Sequence, residues 1–245
     1  MSVSDRPTGL AHFLGMIALG MGGFAIGTTE FAAMSLLPYF ADGLNITEPT
    51  AGHVISAYAL GVVIGAPVLA VLGARLPRWL LLILLMSAFA LFNLLSAFSP
   101  NYETMLVFRF LSGVPHGAYF GVASLVAASL VPSNKRAQAV SQVFLGLTIA
   151  TIIGVPAASW LGQSFGWRWG FAIVGALAAL TVLLIYLYAP RDRARPEASP
   201  LKELTALKSR QVWLTIMIGA IGFGGMFAVY TYVTSVLLQV LDAPE

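Results

Sequence analysis

Long apolar stretches alternate with short polar ones along this chain. Seven of these stretches are long enough for an α-helix to cross a bilayer, which takes about 20 residues. The predicted spans are residues 11–38, 53–73, 79–98, 104–130, 137–162, 169–189 and 212–240. Most of the connections between them are only a few residues long, so we expect neighbouring helices to be antiparallel and adjacent. The pattern predicts an all-α polytopic membrane protein.

One connection, residues 190–211, is longer than the others, polar and strongly basic. It divides the chain into a predicted six-helix transmembrane domain, a cytoplasmic linker and the first helix of an incomplete C-terminal domain, at residues 1–189, 190–211 and 212–245. Within the linker, Leu201, Leu204 and Leu207 have helical spacing, which favours a short interfacial helix. A solvated tether accounts for the same residues equally well. Six helices arranged as two sets of three are typical of half a transporter built from inverted repeats.

The composition agrees with a membrane location. Hydrophobic residues make up 58% of the chain and charged residues 9%, whereas about 25% of the residues in a soluble domain are charged. The absence of cysteine excludes disulfides, thiolate metal sites and cysteine nucleophiles. Glycines recur four residues apart, which predicts closely packed helices. These glycines are Gly113, Gly117 and Gly121, the pair Gly23 and Gly27, and the pair Gly61 and Gly65.

The basic residues predict the orientation in the membrane. Eleven of the thirteen Lys and Arg fall in segments on one side of the predicted spans, among them Arg6 and the 190–211 linker. Arg168 lies on the other side, and Arg109 lies within a span. Because cytoplasmic loops carry the excess of Lys and Arg, we expect a cytoplasmic N-terminus. We separately expect a bacterial inner-membrane location. This placement accounts for the positive net charge without a nucleic-acid partner; the lipid bilayer is the expected partner surface.

Two charges stand out because they lie inside apolar spans. Glu30 lies about 12 Å below the outer end of the first predicted span, and Arg109 about 8 Å below the same surface, at 1.5 Å per helical residue. A charge at this depth is costly and is retained where it is paired or functional. A fixed ion pair that orients two helices is one interpretation. The other is a proton-binding carboxylate whose pKa is set by burial and by the nearby Arg109.

Several other polar residues are candidates for a binding cavity. His116 lies two helical turns after Arg109, on the same face and near the bilayer midplane, where it either titrates or is satisfied by a neighbouring hydroxyl. Pro115 and Pro156 interrupt two spans, and Gly154 with Pro156 indicates a bend. Uncharged polar residues that are candidates to line a cavity are Thr28, Thr29, Tyr58, Asn93, Tyr119, Gln142, Thr148, Tyr230 and Tyr232.

These motifs resemble the major facilitator superfamily, in its branch of drug:proton antiporters and arabinose efflux permeases. The similarity extends over essentially the whole chain, as the N-terminal half of such a transporter plus its seventh helix. Segment 27–31 with Leu37-Pro38 resembles that branch's first helix, and segment 109–117 resembles its fourth-helix motif, whose Arg is implicated in proton coupling. Gly154-Val-Pro156 with Gly162 resembles the fifth-helix antiporter motif, and segment 166–171 the connection between helices five and six.

The loop between the second and third spans departs from the family pattern. The family usually has Gly-x3-Asp-Arg-x-Gly-Arg there, whereas this chain has Ala70 and Ala74 at the Gly and Asp positions; Arg75 and Arg78 match. The resemblance implies gating roles for Arg75, Arg78, Gly154 and Pro156. The missing Asp puts the family's cytoplasmic-side contacts in question. The chain also has one half of the twelve-helix fold plus one helix, so we expect a fragment or a chain that needs a partner half.

The function predicted from these observations is proton-coupled efflux of a small organic molecule, such as a drug, a sugar or a related metabolite, by alternating access. Glu30 is the expected proton carrier, Arg109 its electrostatic partner and His116 a secondary cavity residue. No cofactor is expected, and no enzyme, since the spans contain no G-x-S-x-G motif, Asp pair or metal-ligand cluster. A seven-helix receptor is disfavoured by the cytoplasmic N-terminus. The alternatives are a facilitator without proton coupling and a truncated half that does not transport.

Overall fold

The computed structural model describes residues 9–192, 205 and 208–240. This part of the chain forms nine α-helices: α1 Gly9–Ser35, α2 Leu37–Gly43, α3 Glu48–Gly73, α4 Arg78–Ala97, α5 Tyr102–Ser129, α6 Arg136–Ile149, α7 Val155–Phe165, α8 Trp167–Tyr188 and α9 Arg210–Val240. A five-residue π-helical segment, Ala150–Gly154, joins α6 to α7. The interfacial helix predicted around Leu201, Leu204 and Leu207 lies outside the described residues, as does most of the 190–211 linker.

Seven helical segments in the described part of the chain are long and apolar enough to cross a membrane, as predicted. They are His12–Ser35, Glu48–Gly73, Arg78–Ala97, Tyr102–Ser129, Ser133–Phe165, Trp167–Tyr188 and Arg210–Leu237. The fifth combines α6, the π-helical segment and α7. Large apolar side chains remain exposed along these helices, for example Val63, Leu72 and Ile218. Lipid covers such a surface at no cost, because its tails are as apolar as leucine.

Two of the helix ends that differ from the sequence prediction have a clear local cause. The first span ends at Ser35 and not at Pro38, because Pro38 lies in the first turn of α2, and proline has no N–H to continue the ladder of the preceding helix. The second span begins at Glu48 and not at residue 53. Its N-terminus is capped by Thr47, whose hydroxyl accepts a hydrogen bond from the backbone N–H of Thr50 at 3.4 Å.

The helices pack as two interlocked units of three. One unit contains α1, α3 and α4; the other contains α5, α6 with α7, and α8. The first helix of each unit packs on the second helix of the other, since α1 lies along α6 and α5 lies along α3. The third helices, α4 and α8, pack on each other. This exchange is the arrangement expected of the predicted inverted repeat, and α9 adds to it by contacting α1 and α2.

Glycine permits the closest of these contacts. A Cβ at Gly61 or Gly65 of α3 would meet the backbone carbonyl of Phe110 or Val114, and a Cβ at Gly113 of α5 would meet the carbonyl of Tyr58. A side chain at any of these positions would therefore force α3 and α5 apart. Gly121 differs, because a Cβ added there would have no neighbour within 4 Å. The close-packed part of the predicted stripe thus excludes Gly121.

Candidate functional site

Arg109 lies in the interior of the bundle, held by neutral groups. Its side chain, on α5, is 1% exposed. One terminal guanidinium nitrogen donates hydrogen bonds to Thr29 Oγ1 at 3.1 Å and to Asn93 Oδ1 at 3.4 Å. The guanidinium carbon lies 4.2 Å from the ring centroid of Tyr58 and 5.4 Å from that of Phe171. Two oxygens and two aromatic faces therefore stabilise the buried charge.

The side chain of Glu30 lies beside Arg109 but is not one of the groups that bond its guanidinium. Glu30 follows Thr29 on α1 and is half-buried. Within the described part of the chain, the hydrogen bonds and ion pairs of Arg109 do not include Glu30. Thr29 accepts a hydrogen bond from Arg109, and Glu30 is the next residue on α1, so the two opposite charges lie near each other without direct bonding.

His116 is joined to Arg109 through Tyr58. The Tyr58 hydroxyl and His116 Nδ1 form a hydrogen bond of 2.8 Å between α3 and α5. From His116, ring contacts continue to Phe120 and then to Phe144 on α6, with centroid distances of 5.5 Å and 4.8 Å. The sequence analysis left open whether a neighbouring hydroxyl satisfies His116, and in the structure the Tyr58 hydroxyl bonds it.

The remaining candidate cavity residues separate into two groups. Gln142 lines a cavity of 540 Å³ between α1 and α6, together with His12 and mostly apolar residues. Tyr230 of α9 lies edge-on to the ring of Phe31, 5.4 Å away. Three others are buried and satisfied inside the bundle: Thr28 bonds the carbonyl of Phe24, Tyr119 bonds the carbonyl of Leu19, and Asn93 bonds the carbonyl of Phe89.

The residues predicted to gate lie in two places. Gly154 ends the π-helical segment, and Pro156 lies in the first turn of α7, so the predicted irregularity begins one helical turn earlier than the Gly-Val-Pro sequence. Arg75 is exposed in the loop before α4. Arg78 begins α4, and its backbone N–H donates to the carboxylate of Asp192 at 3.0 Å.

Sequence reasoning did not single out Asp192. This carboxylate follows the end of α8 and also accepts from the backbone N–H of Trp79 at 3.1 Å, so it caps the N-terminus of α4. Arg191 lies over the Trp79 ring at 5.2 Å. Two features of the sequence could have identified Asp192. It is an acidic residue just past an apolar span, and the loop before α4 has Ala74 where the family has Asp. The sequence paired Arg109 with Glu30 and did not identify Thr29 and Asn93 as the groups bonded to the guanidinium, since nothing in the sequence marks which uncharged residue faces it.

Comparisons with known proteins identify the family and agree with the fold. The family model described as Major Facilitator Superfamily matches residues 19–244. The chain is 44% identical over 230 residues to the inner membrane transport protein YdhP of Escherichia coli strain K12, covering 93% of this chain and 59% of that protein. It is 31% identical over 230 residues to a probable sugar efflux transporter of Mannheimia succiniciproducens, covering 94% of this chain and 58% of that protein.

A solved structure supports the same architecture. A bacterial homolog to the human lysosomal transporter Spinster, crystallised in an inward-facing and unoccupied conformation, superposes with a TM-score of 0.76 at 16% identity. The superposition covers 97% of this chain and 58% of that one. At this identity the similarity concerns the fold alone. The chain spans less than two thirds of the length of each of these proteins.

Proposed function

This chain belongs to the Major Facilitator Superfamily, and from that premise we propose that it contributes to proton-coupled export of a small organic molecule by alternating access. The proposal covers the whole transporter, of which this chain supplies the bundle from α1 to α8 together with α9. Protons move inward as the molecule moves outward, so the proton gradient drives export. Glu30, Arg109 and His116 are the proposed coupling residues.

One observation carries the proposal: Glu30 is half-buried next to Arg109, and the two charges interact without a direct ion pair. A carboxylate kept at membrane depth with no hydrogen bond or ion pair to the residues that the structure describes is costly and therefore points to function. Because no ion pair has to break, Glu30 remains available to bind and release a proton. Protonation removes the attraction between Glu30 and Arg109, and that change in charge is what biases one conformation over another.

Proposed roles for the other residues follow from their positions. His116 is a secondary polar group, coupled to Arg109 through Tyr58. Thr28, Asn93 and Tyr119 shape the interior around the coupling residues, while Gln142 and Tyr230 lie nearer to open surface. Arg75, Arg78, Gly154 and Pro156 are the proposed gating positions, since a π-helical segment before a proline is a place where a helix bends readily.

The proposed cargo is a drug, a sugar or a related metabolite. A relative bearing the name of a probable sugar efflux transporter supports the sugar class. The 540 Å³ cavity supports a more apolar cargo, because His12 and Gln142 are its polar lining residues and the others are apolar or glycine. A sugar requires more hydrogen-bonding partners than these two side chains offer.

We further propose a multi-pass location in the bacterial inner membrane with the N-terminus in the cytoplasm. The distribution of Lys and Arg supports the orientation. The name of the Escherichia coli relative, an inner membrane transport protein, supports the location.

A facilitator without proton coupling is the second candidate. It is favoured by the same neutral contacts that hold Arg109, because they stabilise the guanidinium without needing Glu30. In that case Glu30 is only a structural or cargo-binding residue. A half that does not transport is the remaining alternative for the 245-residue chain by itself.

The test is pH-driven transport by the full-length transporter in proteoliposomes, with ethidium and radiolabelled arabinose as probes. We expect Glu30→Gln to abolish transport driven by a pH gradient. The matched control is Glu103→Gln, which alters an exposed carboxylate in the first turn of α5. Proton-driven transport that is unchanged in Glu30→Gln would contradict the coupling role and favour the facilitator.

A further inference from the structure

Thr29 and Asn93 form a small polar cluster inside the apolar bundle. Thr29 is 1% exposed and Asn93 is completely buried. They come from α1 and α4, whereas Arg109 comes from α5, so the cluster joins three helices and both units of the repeat. Neither residue lines the 540 Å³ cavity. Their side chains contact Arg109 and each other, and Asn93 also bonds the backbone of its own helix.

The direction of each hydrogen bond in the cluster is fixed by its neighbours. Asn93 Nδ2 donates to the carbonyl of Phe89 at 2.8 Å, which leaves Oδ1 as the acceptor on the other side. Thr29 Oγ1 donates its hydrogen to that Oδ1 at 2.8 Å. The lone pairs of Thr29 then face the guanidinium, which donates to Thr29 at 3.1 Å. Each of these hydrogen bonds sets the direction of the next, so the cluster holds one arrangement.

A buried arginine is commonly paired with a carboxylate, and the nearby carboxylate here is Glu30. Arg109 is instead contacted by neutral groups. These are the side-chain oxygens of Thr29 and Asn93 and the rings of Tyr58 and Phe171. We propose that Thr29 and Asn93 are positioning residues that hold Arg109 beside Glu30 through neutral hydrogen bonds, so that Glu30 exchanges its proton without the guanidinium moving. This inference rests on the proposed function of Glu30.

The cluster keeps the same charge as the pH changes. Neither a threonine hydroxyl nor an asparagine amide titrates in the physiological range. In the described part of the chain, the titratable or charged groups that interact with Glu30 are Arg109 on α5 and Tyr58 on α3, and His116 on α5 is hydrogen-bonded to Tyr58. The Arg109 Nε hydrogen has no acceptor among the described residues. Arg109 therefore keeps hydrogen-bonding capacity beyond the two neutral contacts.

The first measurement uses the NMR resonances of the Arg109 guanidinium in the ¹⁵N-labelled chain in nanodiscs, assigned by their loss in Arg109→Lys. We expect Thr29→Val and Asn93→Leu to shift or broaden these resonances, because each removes an acceptor. Thr29→Ser keeps the hydroxyl and should leave them in place. Glu30→Gln should shift them less than Thr29→Val does, because Glu30 acts on Arg109 through its charge and not through a hydrogen bond. Size-exclusion chromatography identifies the variants that fold.

The second measurement separates positioning from a purely structural role in the full-length transporter. With ethidium as probe, pH-driven transport is compared with counterflow, which needs no proton gradient. We expect Thr29→Val to lose at least about tenfold in the pH-driven rate, the size of a lost hydrogen bond to a charged group. Counterflow should be retained, and Thr29→Ser should restore the pH-driven rate.

The outcomes distinguish this inference from the proposed function. If Glu30→Gln shifts the Arg109 resonances as much as Thr29→Val does, or if Thr29→Val and Asn93→Leu leave them unchanged, Thr29 and Asn93 do not position Arg109. If counterflow falls together with the pH-driven rate, their role is structural. If Glu30→Gln retains pH-driven transport while the resonances behave as expected, the proposed function fails and the neutral support of Arg109 still holds.

Discussion

The Tyr58 hydroxyl and His116 Nδ1 are hydrogen-bonded at 2.8 Å, linking α3 to α5 next to the buried charge of Arg109. The same tyrosine ring lies with its centroid 4.2 Å from the Arg109 guanidinium carbon. Tyr58 therefore contacts His116 through its hydroxyl and Arg109 through the face of its ring. The two contacts can be separated by mutation, because phenylalanine keeps the face and removes the hydroxyl.

We expect Tyr58→Phe to lower the free energy of unfolding by about 0.6 kcal/mol, the mean for hydrogen bonds between membrane helices, with about 1.7 kcal/mol as the upper end. Tyr58→Leu should cost more, since it also removes the aromatic face that contacts Arg109. Thermal unfolding in detergent measures both. In a His116→Ala background, Tyr58→Phe should cost almost nothing. An unchanged cost in that background would mean that the hydroxyl has another partner.

The glycines of α5 provide a matched pair of substitutions. Gly113→Ala places a methyl group against the carbonyl of Tyr58, so we expect a loss of about 1–3 kcal/mol, typical of overpacking. Gly121→Ala meets open space and should be neutral or stabilising by up to about 1 kcal/mol, because alanine favours a helix over glycine. Differential scanning fluorimetry of the intrinsic tryptophans compares the two. Equal destabilisation would show that Gly121 is also packed.

These glycines show how far the sequence determines the structure. Spacing identified Gly113, Gly117 and Gly121 as one stripe, but spacing does not say where the partner helix diverges, and Gly121 lies beyond that point. The spans themselves were predictable because hydrophobic length is a local property. The difference at Pro38 arose because apolar composition continues through the proline while the hydrogen-bond ladder does not.

The charged residues at membrane depth were also identifiable, because Glu30 and Arg109 interrupt apolar runs. The groups that surround these two charges could not be identified from the sequence. Thr29 and Asn93 are 64 positions apart, and Thr29 and Arg109 are 80 apart, so their meeting depends on the relative rotation of three helices. The sequence does not distinguish an uncharged polar residue that lines a cavity from one that is hydrogen-bonded to a neighbouring side chain. Asn93 was a candidate to line the cavity, and the structure places it against Arg109.

Asp192 should stabilise the end of the bundle at which α4 begins. It accepts from the backbone N–H groups of Arg78 and Trp79, at the positive end of the helix dipole. We expect Asp192→Ala to lower the free energy of unfolding by about 1 kcal/mol, as for the loss of a helix cap. Thermal unfolding measures the loss. Asp42→Ala, at an exposed carboxylate near the end of α2, is the control and should have little effect.

The orientation can be tested directly because the chain contains no cysteine, so a single introduced cysteine reports its own location. Ser133 lies in the exposed connection before α6, on the proposed cytoplasmic side, and Glu103 is exposed at the opposite end of α5. With a membrane-impermeant maleimide on intact cells, we expect Glu103→Cys to be labelled and Ser133→Cys to be labelled only after permeabilisation. The physical reason is the excess of Lys and Arg on the Ser133 side, which is retained in the cytoplasm. The opposite labelling pattern would invert the proposed topology, and Glu30 would then lie in the cytoplasmic half of the membrane.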